Sequence, residues 1–418
     1  MLPAAEAAAK ILDLVSSPVD AEQVALDAAL GRILARAIPS PLDFPHWDNS
    51  AMDGYAVRYA DVQEASAESP VALTLTETIP AGRSPTQPVG PGQAARILTG
   101  SMLPTGADTI VIQEVTQREG AGEAWPAANR VLVLEAPKLQ QFVRHRGSFC
   151  RVGDPLMGAG LEIGGPELAV LASAQCVQVP VFPQPRVAIL STGDELVMPE
   201  TPLQPGQIVD SNQYALAALV RQAGAIPVPL GIVPDQPQAL RAAIRTALAQ
   251  ADVIVSSGGV SVGDYDYVDE ILAELGATLH IRSVAVKPGK PLTVATFPAE
   301  YGPAPLYFGL PGNPVSALVT FWRFVVPALR KRSGLATGWG PELVPATTRH
   351  LLKAGGQRET YLWGRLTPTP AGYEFELASG GHSSGNLINL AGTNALAVVP
   401  VGTTQIDAGA TVQVMPVS

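Results

Sequence analysis

The sequence predicts a multidomain chain of α/β plus β class, with a central doubly wound α/β domain on a mostly parallel sheet and smaller β domains on either side. Three observations predict this. The chain has 418 residues, more than a single hydrophobic core usually serves. Between residue 186 and about 333, continuous apolar runs alternate with amphipathic segments, the pattern of parallel strands covered by helices on both faces. Before and after that stretch the apolar runs become short, β-branched and separated by Pro/Gly turns.

Taken in order, "AAEAAAKILDLV" carries helical spacing over residues 4 to 15, and Val24, Leu26, Leu30, Ile33 and Leu34 extend a helical reading over about 20 to 37. From about 55 to 135, "VALTLTETI", "ARILTG", "TIVIQEV" and "RVLVLEA" read as strands of a small β-rich domain. "GGPELAVLASAQC" follows as a helix with Pro166 in its first turn, where a missing N–H does no harm, and is expected to rejoin the N-terminal helices. The central domain then alternates "RVAIL", "NQYALAALVRQAGA", "PVPLGIV", "QALRAAIRTALAQA", "DVIVSSGG", "YVDEILAELGA", "TLHIRSVAV" and "LYFGLPG" before a long helix. From about 340 to 418, "ETYLWGRL", "YEFEL", "ALAVVPV" and "TVQVM" return to short strands.

Composition narrows the function classes. Hydrophobic residues make up 47% against 15% charged, and 40 Gly and 39 Pro spread along the chain suit a turn-rich globular protein rather than a disordered one. A net charge of -10 argues against a nucleic-acid binder, so any anionic ligand must be met by local donors. Cys150 and Cys176 are too few for a disulfide framework or a thiolate zinc site and read as structural thiols. The N-terminal segment lacks the basic start and apolar run of a signal peptide. "PVSALVTFWRFVVPALRK" is broken by Arg323 and Pro327 and falls short of the ~20 residues of a membrane span. The expectation is a cytoplasmic protein without membrane partners.

In an open α/β sheet, ligands bind beyond the carboxyl ends of the strands. The loops expected there are "STGDEL", "PDQP", "SSGGVSVGDYD" and "LPGNPVSA". In "SSGGVSVGD", glycines let backbone N–H groups approach a ligand while serines add hydroxyl donors, so a phosphate could be held without a lysine. The same residues also suit a tight strand-to-helix turn capped by Asp264. Neither the Walker spacing nor the dinucleotide fingerprint is present. Glu195, Asp235 and Asp266 each follow a different strand and could converge on Mg²⁺, although each singly also suits an N-cap or a solvated charge. "VKPGKP" offers Lys287 and Lys290 on a stiffened segment, either for a compact oxyanion or as a solvated basic turn. In "LPGNPVSA", Pro311 and Pro314 restrict the loop, Gly312 permits close approach, and Ser316 lies near a helix start. "DFPHWDNSAMDGYAVR" reads as a functional loop in which His46 lacks a nucleophile partner.

Together, "DNSAMDGYAVR", "ILTGSMLPTGADTIVIQE", "STGDEL", "DSN", "SSGGVSVGDYD", "VKPGKP" and "LPGNPVSA" resemble the molybdopterin molybdenumtransferases, the family that includes the E domain of gephyrin. The resemblance runs in order along essentially the whole chain. It implies a homodimer whose subunits contain a linker domain (1–45 and 140–182), a β-rich domain (46–139), an α/β molybdopterin-binding domain (183–335) and a C-terminal β domain (336–418). It also implies a reaction in which adenylylated molybdopterin and molybdate yield molybdenum cofactor and AMP, assisted by Mg²⁺. A molybdopterin adenylyltransferase and recipient apo-molybdoenzymes become possible partners.

Carried over by motif, the acidic positions fall on Asp53, Glu195, Asp235 and Asp266, with Thr99 beside them, and Asp266 is the leading Mg²⁺ ligand with Asp235 and Glu195 assisting. Substrate contacts are expected from Asp210, Asn212, Ser257, Gly258, Gly259, Ser261, Pro311, Gly312 and Pro314, and molybdate contacts from Lys287, Lys290, Ser316, Arg358 and Ser384. The sequence departs from the family pattern where Ser148-Phe149 follows Arg146-Gly147 in place of Glu-Asp, with Asp154 at a mismatched spacing, and where Trp363 replaces a second arginine after Arg358. The alternatives are a molybdopterin adenylyltransferase, which would carry a Thr-Gly-Gly-Thr-Gly loop in a shorter chain, and a gephyrin-like scaffold.

Overall fold

A computed structural model describes residues 1–119, 130–259, 267–302 and 305–417. The chain divides into two compact units, one of residues 37–158 and 170–176, the other of 1–36, 159–169 and 177–418.

The smaller unit is organised by a six-stranded sheet of β1 (Gly54–Val57), β2 (Val71–Ile79), β3 (Gln93–Ile97), β4 (Thr109–Ile112), β5 (Thr116–Arg118) and β6 (Arg130–Val133), in spatial order β4-β1-β3-β2-β6-β5. Period-two alternation separates two apolar faces, as strand geometry requires. Tyr55, Val57, Leu73, Leu75, Val111, Val131 and Val133 pack on one face, and Ala56, Ile79, Ala95, Ile97 and Ile110 form a second cluster. β1 lies between β3 and β4, where a Cβ on Gly54 would stand 2.1 Å from the Val111 carbonyl oxygen.

The larger unit contains the α/β sheet. Its strands are β7 (Arg186–Thr192), β8 (Ile226–Val233), β9 (Val253–Ser257), β10 (Thr278–Ser283), β12 (Pro291–Thr296) and β13 (Leu306–Leu310), while β11 (Val286–Lys287) leaves for another sheet. The order is β8-β7-β9-β13-β12-β10; the first four strands are parallel, β12 runs antiparallel to its neighbours β13 and β10, and β10 therefore shares the direction of the first four. Val187, Ile189, Val253, Val255 and Phe308 share one core with α1 (Ala4–Leu14), α2 (Asn212–Gln222), α5 (Pro314–Thr320) and α6 (Val326–Arg332). Ala188, Leu190, Ile254 and Tyr307 share the other with α3 (Pro237–Gln250) and α4 (Tyr267–Glu274). Burial on both faces is why these strands read as continuous apolar runs.

The C-terminal strands β14 (Val344–Thr348), β15 (Glu359–Thr369), β16 (Gly372–Leu377), β17 (Ala395–Val399) and β18 (Thr411–Pro416) pair in the order β15-β16-β14-β18-β17, and β15 pairs again with β17. That last pairing closes a small barrel around Phe375, Leu362, Ala397 and Val414. β11 extends it, with Val286 opposite Glu359 and Lys287 opposite Thr360.

The helical reading of residues 20 to 37 is overturned. Glu22–Ala25 is a strand paired with Gln178–Val181, Leu26–Ala28 is a single 3₁₀ turn, and Gly31 has φ 71°. Leu30, which the helical spacing placed on an apolar face, is 64% exposed. Backbone pairing with a distant segment overrides a local spacing that also fits a helix. The strand pattern also misses β1, which lies inside the stretch read as a functional loop, and β5, β12 and β14. Among the described residues, no helix is long and apolar enough to cross a membrane.

Gly54→Ala should lower the unfolding free energy of the smaller unit by about 1–3 kcal/mol, because the methyl group must displace a paired strand. Thermal or denaturant melting checks this; an unchanged transition would mean that the contact with Val111 is not limiting.

Candidate functional site

β7, β8, β9 and β13 end at Thr192, Val233, Ser257 and Leu310, so the four singled-out loops leave the same edge of the sheet. After Ser257, Gly258 (φ 88°) and Gly259 (φ 67°) take a left-handed path that favours glycine. Space demands glycine as well, since a Cβ on Gly258 would lie 2.4 Å from the Thr192 carbonyl oxygen and one on Gly259 would lie 2.8 Å from Thr192 Oγ1. The turn rests on buried hydroxyls, with Ser191 Oγ 3.3 Å from Ser257 Oγ and Ser256 Oγ 2.5 Å from the Tyr307 hydroxyl. Thr192 Oγ1 is buried and has no hydrogen-bond partner among the described residues.

The next loop closes against this turn. A Cβ on Gly312 would stand 3.4 Å from Gly258 Cα, and Asn212 Nδ2, at the start of α2, donates to the Gly312 carbonyl at 2.9 Å. Pro311 precedes Gly312, and Pro314 occupies the first turn of α5. Asp210 is buried and accepts from Gln213 N and Nε2 at 3.2 and 3.3 Å, while Gln213 Oε1 accepts from Gly231 N at 3.0 Å. These contacts tie "DSN" to β8. Ser261, Asp264 and Asp266 lie outside the described residues.

Glu195 and Asp235 gather with Asp194, which sequence reasoning passed over although it stands inside "STGDEL". Asp235 N donates to Asp194 Oδ1 at 3.1 Å, and the Glu195 carboxylate folds back over Gly193, 2.6 Å from where a Cβ would be. Desolvation, followed by the negative charges of Asp194 and Glu195, raises the Asp235 carboxyl above its ordinary value. Mutually repelling oxygen donors suit a hard divalent cation in kind. Among the described residues, however, no three His, Cys, Asp or Glu side chains already form a metal shell.

The basic residues form a second group. Lys287 and Lys290 are exposed, and among the described residues neither ammonium has an ion-pair partner. The pairing of β11 with β15 brings Arg358 beside them, its Nη1 donating to the Val286 carbonyl at 3.2 Å. Gly289 lies against α5, where a Cβ would meet Thr320 Cγ2 at 2.5 Å, and Thr320 Oγ1 donates to the Ser316 carbonyl at 2.8 Å. Ser316 is buried in the first turns of α5, and the Ser384 carbonyl accepts from Val315 N at 3.2 Å. Trp363 takes no part in this group. It is fully buried, donates to Asn389 Oδ1 at 2.9 Å and packs on His382 with ring centroids 4.3 Å apart, so it is a core side chain and no surrogate for a surface guanidinium.

In the smaller unit, Asp53 Oδ1 accepts from Thr99 N at 2.7 Å and from Thr99 Oγ1 at 2.6 Å. The hydroxyl bond first, then the backbone bond, holds the Asp53 carboxyl below its ordinary value. At the departure from the family pattern, Phe149 is 72% exposed, Arg146 Nε binds Asp43 Oδ2 at 2.6 Å, and Asp154 Oδ2 accepts from Arg151 N at 2.9 Å. Asp154 thus serves its own turn. A cavity of about 290 Å³ in the larger unit, bordered by Arg32, Arg221 and Arg330, is lined by none of the sequence-nominated residues.

Thr99→Val should return the Asp53 carboxyl toward its ordinary value while the backbone donor remains. In the wild type, the depressed value stabilises the fold above the unfolded pKa of about 3.9, and this contribution is lost as pH falls through the folded value. NMR titration of the Asp53 carboxyl checks the change; an unshifted midpoint would exclude the hydroxyl as its main cause.

Comparison with known proteins bears on the same segments. Residues 2–174 match the MoeA N-terminal region (domain I and II), 188–331 a probable molybdopterin binding domain, and 345–417 the MoeA C-terminal region (domain IV). The chain is 57% identical over 401 residues to the molybdopterin molybdenumtransferase of a Nostoc species, covering 96% of this chain and 90% of that one. It is 37% identical over 365 residues to the enzyme of that name from Haemophilus influenzae, covering 85% and 84%. The solved molybdopterin biosynthesis MoeA protein from Pyrococcus horikosii matches with a TM-score of 0.81 at 30% identity, over 100% of this chain and 99% of that one. Motif order, architecture and full-length similarity agree, and the chain belongs to the molybdopterin molybdenumtransferase family of transferases.

Proposed function

We propose that this protein inserts molybdenum from molybdate into adenylylated molybdopterin, releasing AMP and the molybdenum cofactor, with Mg²⁺ as a helper ion and a homodimer as the working form. The observation that carries the reading is the way α5 links two separate anion-recognising groups, a glycine turn and a basic segment. At its start, Gly312 meets the Gly258 turn; within the next two turns, Ser316 and Thr320 back the "VKPGKP" segment. An α-helix rises about 1.5 Å per residue, so the two groups are roughly 10 Å apart along it. That separation suits a substrate with phosphate at one end and a metal-accepting group at the other.

The glycine turn offers backbone N–H groups to the phosphates, with the Ser257 hydroxyl beneath it. Lys287, Lys290 and Arg358 provide a local positive field on a chain of net charge -10, which would otherwise repel a dianion. Holding molybdate beside the bound pterin makes their encounter effectively intramolecular. Asp235 and Glu195, with Asp266, are the residues that would hold Mg²⁺. When bound, that ion withdraws charge from the phosphate anhydride as a Lewis acid. Asp53 and Thr99, by family resemblance, complete the site from the second subunit.

Lys287→Ala and Arg358→Ala should each raise the KM for molybdate about tenfold or more, the weight of a charge-assisted contact. Asp266→Ala should abolish Mg²⁺-dependent AMP release, measured with adenylylated molybdopterin and molybdate. Undiminished release in Asp266→Ala would overturn the metal assignment. ATP consumption with free molybdopterin would overturn the insertion reading in favour of adenylyl transfer.

A further inference from the structure

Between α5 and α6 the helix passes through a π turn, Phe321–Val325, that carries Arg323. Such turns in a continuous helix are often found at functional sites. Arg323 Nε donates to the Tyr361 hydroxyl at 2.9 Å and lies 3.8 Å from Glu359 Oε1, and the Tyr361 hydroxyl donates in turn to the Glu359 carboxylate. The group is largely enclosed, with side-chain exposures of 14% for Arg323 and 25% for Glu359 and a residue exposure of 1% for Tyr361. Burial keeps the phenol protonated, so it remains the donor in its bond to Glu359.

The location of this triad gives it a consequence. Glu359 is the first residue of β15; it pairs with Val286, and its N–H donates to the Ala285 carbonyl at 2.9 Å. Arg358 precedes Glu359 in the chain, and Lys287 follows its strand partner Val286. Arg358 Nη1 already spans the same junction to the Val286 carbonyl. The helix that carries Arg323 also carries Ser316. One largely enclosed triad, centred on the buried Tyr361, therefore connects the helix, the start of the barrel strand and the basic segment.

We infer that Arg323, Tyr361 and Glu359 act as positioning residues that hold the Arg358–Lys287 junction in register for the oxyanion, without touching the oxyanion themselves. This rests on the reading of Lys287 and Arg358 as molybdate contacts. Glu359 makes the role separable from simple charge. Neutralising an anion beside two cations would strengthen anion binding if only long-range charge mattered, whereas loosening the junction weakens it.

The test is steady-state molybdate insertion by the full chain, with molybdate varied at saturating adenylylated molybdopterin, in Tyr361→Phe, Glu359→Gln and Arg358→Ala. Thermal melting confirms that each variant is folded. Tyr361→Phe and Glu359→Gln are expected to raise the molybdate KM about 3- to 10-fold, the range of one buried hydrogen bond, while kcat and the KM for the pterin stay within about twofold. A normal molybdate KM in Tyr361→Phe, or a lowered one in Glu359→Gln, alongside a raised one in Arg358→Ala overturns the positioning role and leaves the site reading standing. An unchanged KM in Arg358→Ala overturns the site reading itself. If Glu359→Gln does not fold, Tyr361→Phe decides alone, because it deletes a single oxygen.

Discussion

The parallel ladder β8-β7-β9-β13 is the constraint from which the larger unit's site geometry follows. Its strands are covered on both faces by helices, so their apolar runs cannot end in a ligand site until they leave the sheet. Because the strands are parallel, their carboxyl ends emerge at one edge, and loops far apart in sequence become neighbours. The approach of Gly258 and Gly259 to Thr192 is one result. It requires β7 and β9 to be adjacent, which the pairing of Leu190 with Ser256 and of Ser191 with Ser257 supplies, and two positions to lack a side chain, which glycine supplies.

Charge is distributed locally across this framework. The chain is acidic overall, yet Lys287, Lys290 and Arg358 form a cationic group without ion-pair partners for the two lysines among the described residues. Asp194, Glu195 and Asp235 concentrate the opposite sign at the ends of β7 and β8. Separating the signs preserves both fields, whereas direct pairing of lysine with carboxylate would cancel them. The triad of Arg323, Tyr361 and Glu359 has the contrary arrangement, in which opposite charges and a phenol satisfy one another in a largely enclosed site. It stabilises a junction where the other groups remain available.

Much of this was legible before folding was considered. The strand and helix alternation from Arg186 onward follows the sequence pattern except at β12, because burial on two faces leaves a strong apolar signature in the parallel strands. The loops were legible too, since Gly258, Gly259 and Gly312 announce close backbone approach through residue type alone. Residues 20 to 37 misled because Val24, Ile33 and Leu34 satisfy a helical period while their partners are backbone groups more than a hundred residues away. Trp363 shows a related limit: its position in the motif marks a missing arginine, but that the indole is a core side chain is decided only by the fold.

By itself, the sequence determined the class of fold, the four site loops and the residue types available to phosphate and oxyanion, because periodicity and loop chemistry are local properties. Tertiary structure alone decided which of those residues meet. The pairing of Val286 with Glu359 places Arg358 at the basic segment, and the helix from Pro314 onward brings Arg323 to Tyr361. Such contacts depend on strand register and helix rotation, which arise from packing over the whole unit and leave no signature in any short stretch of chain.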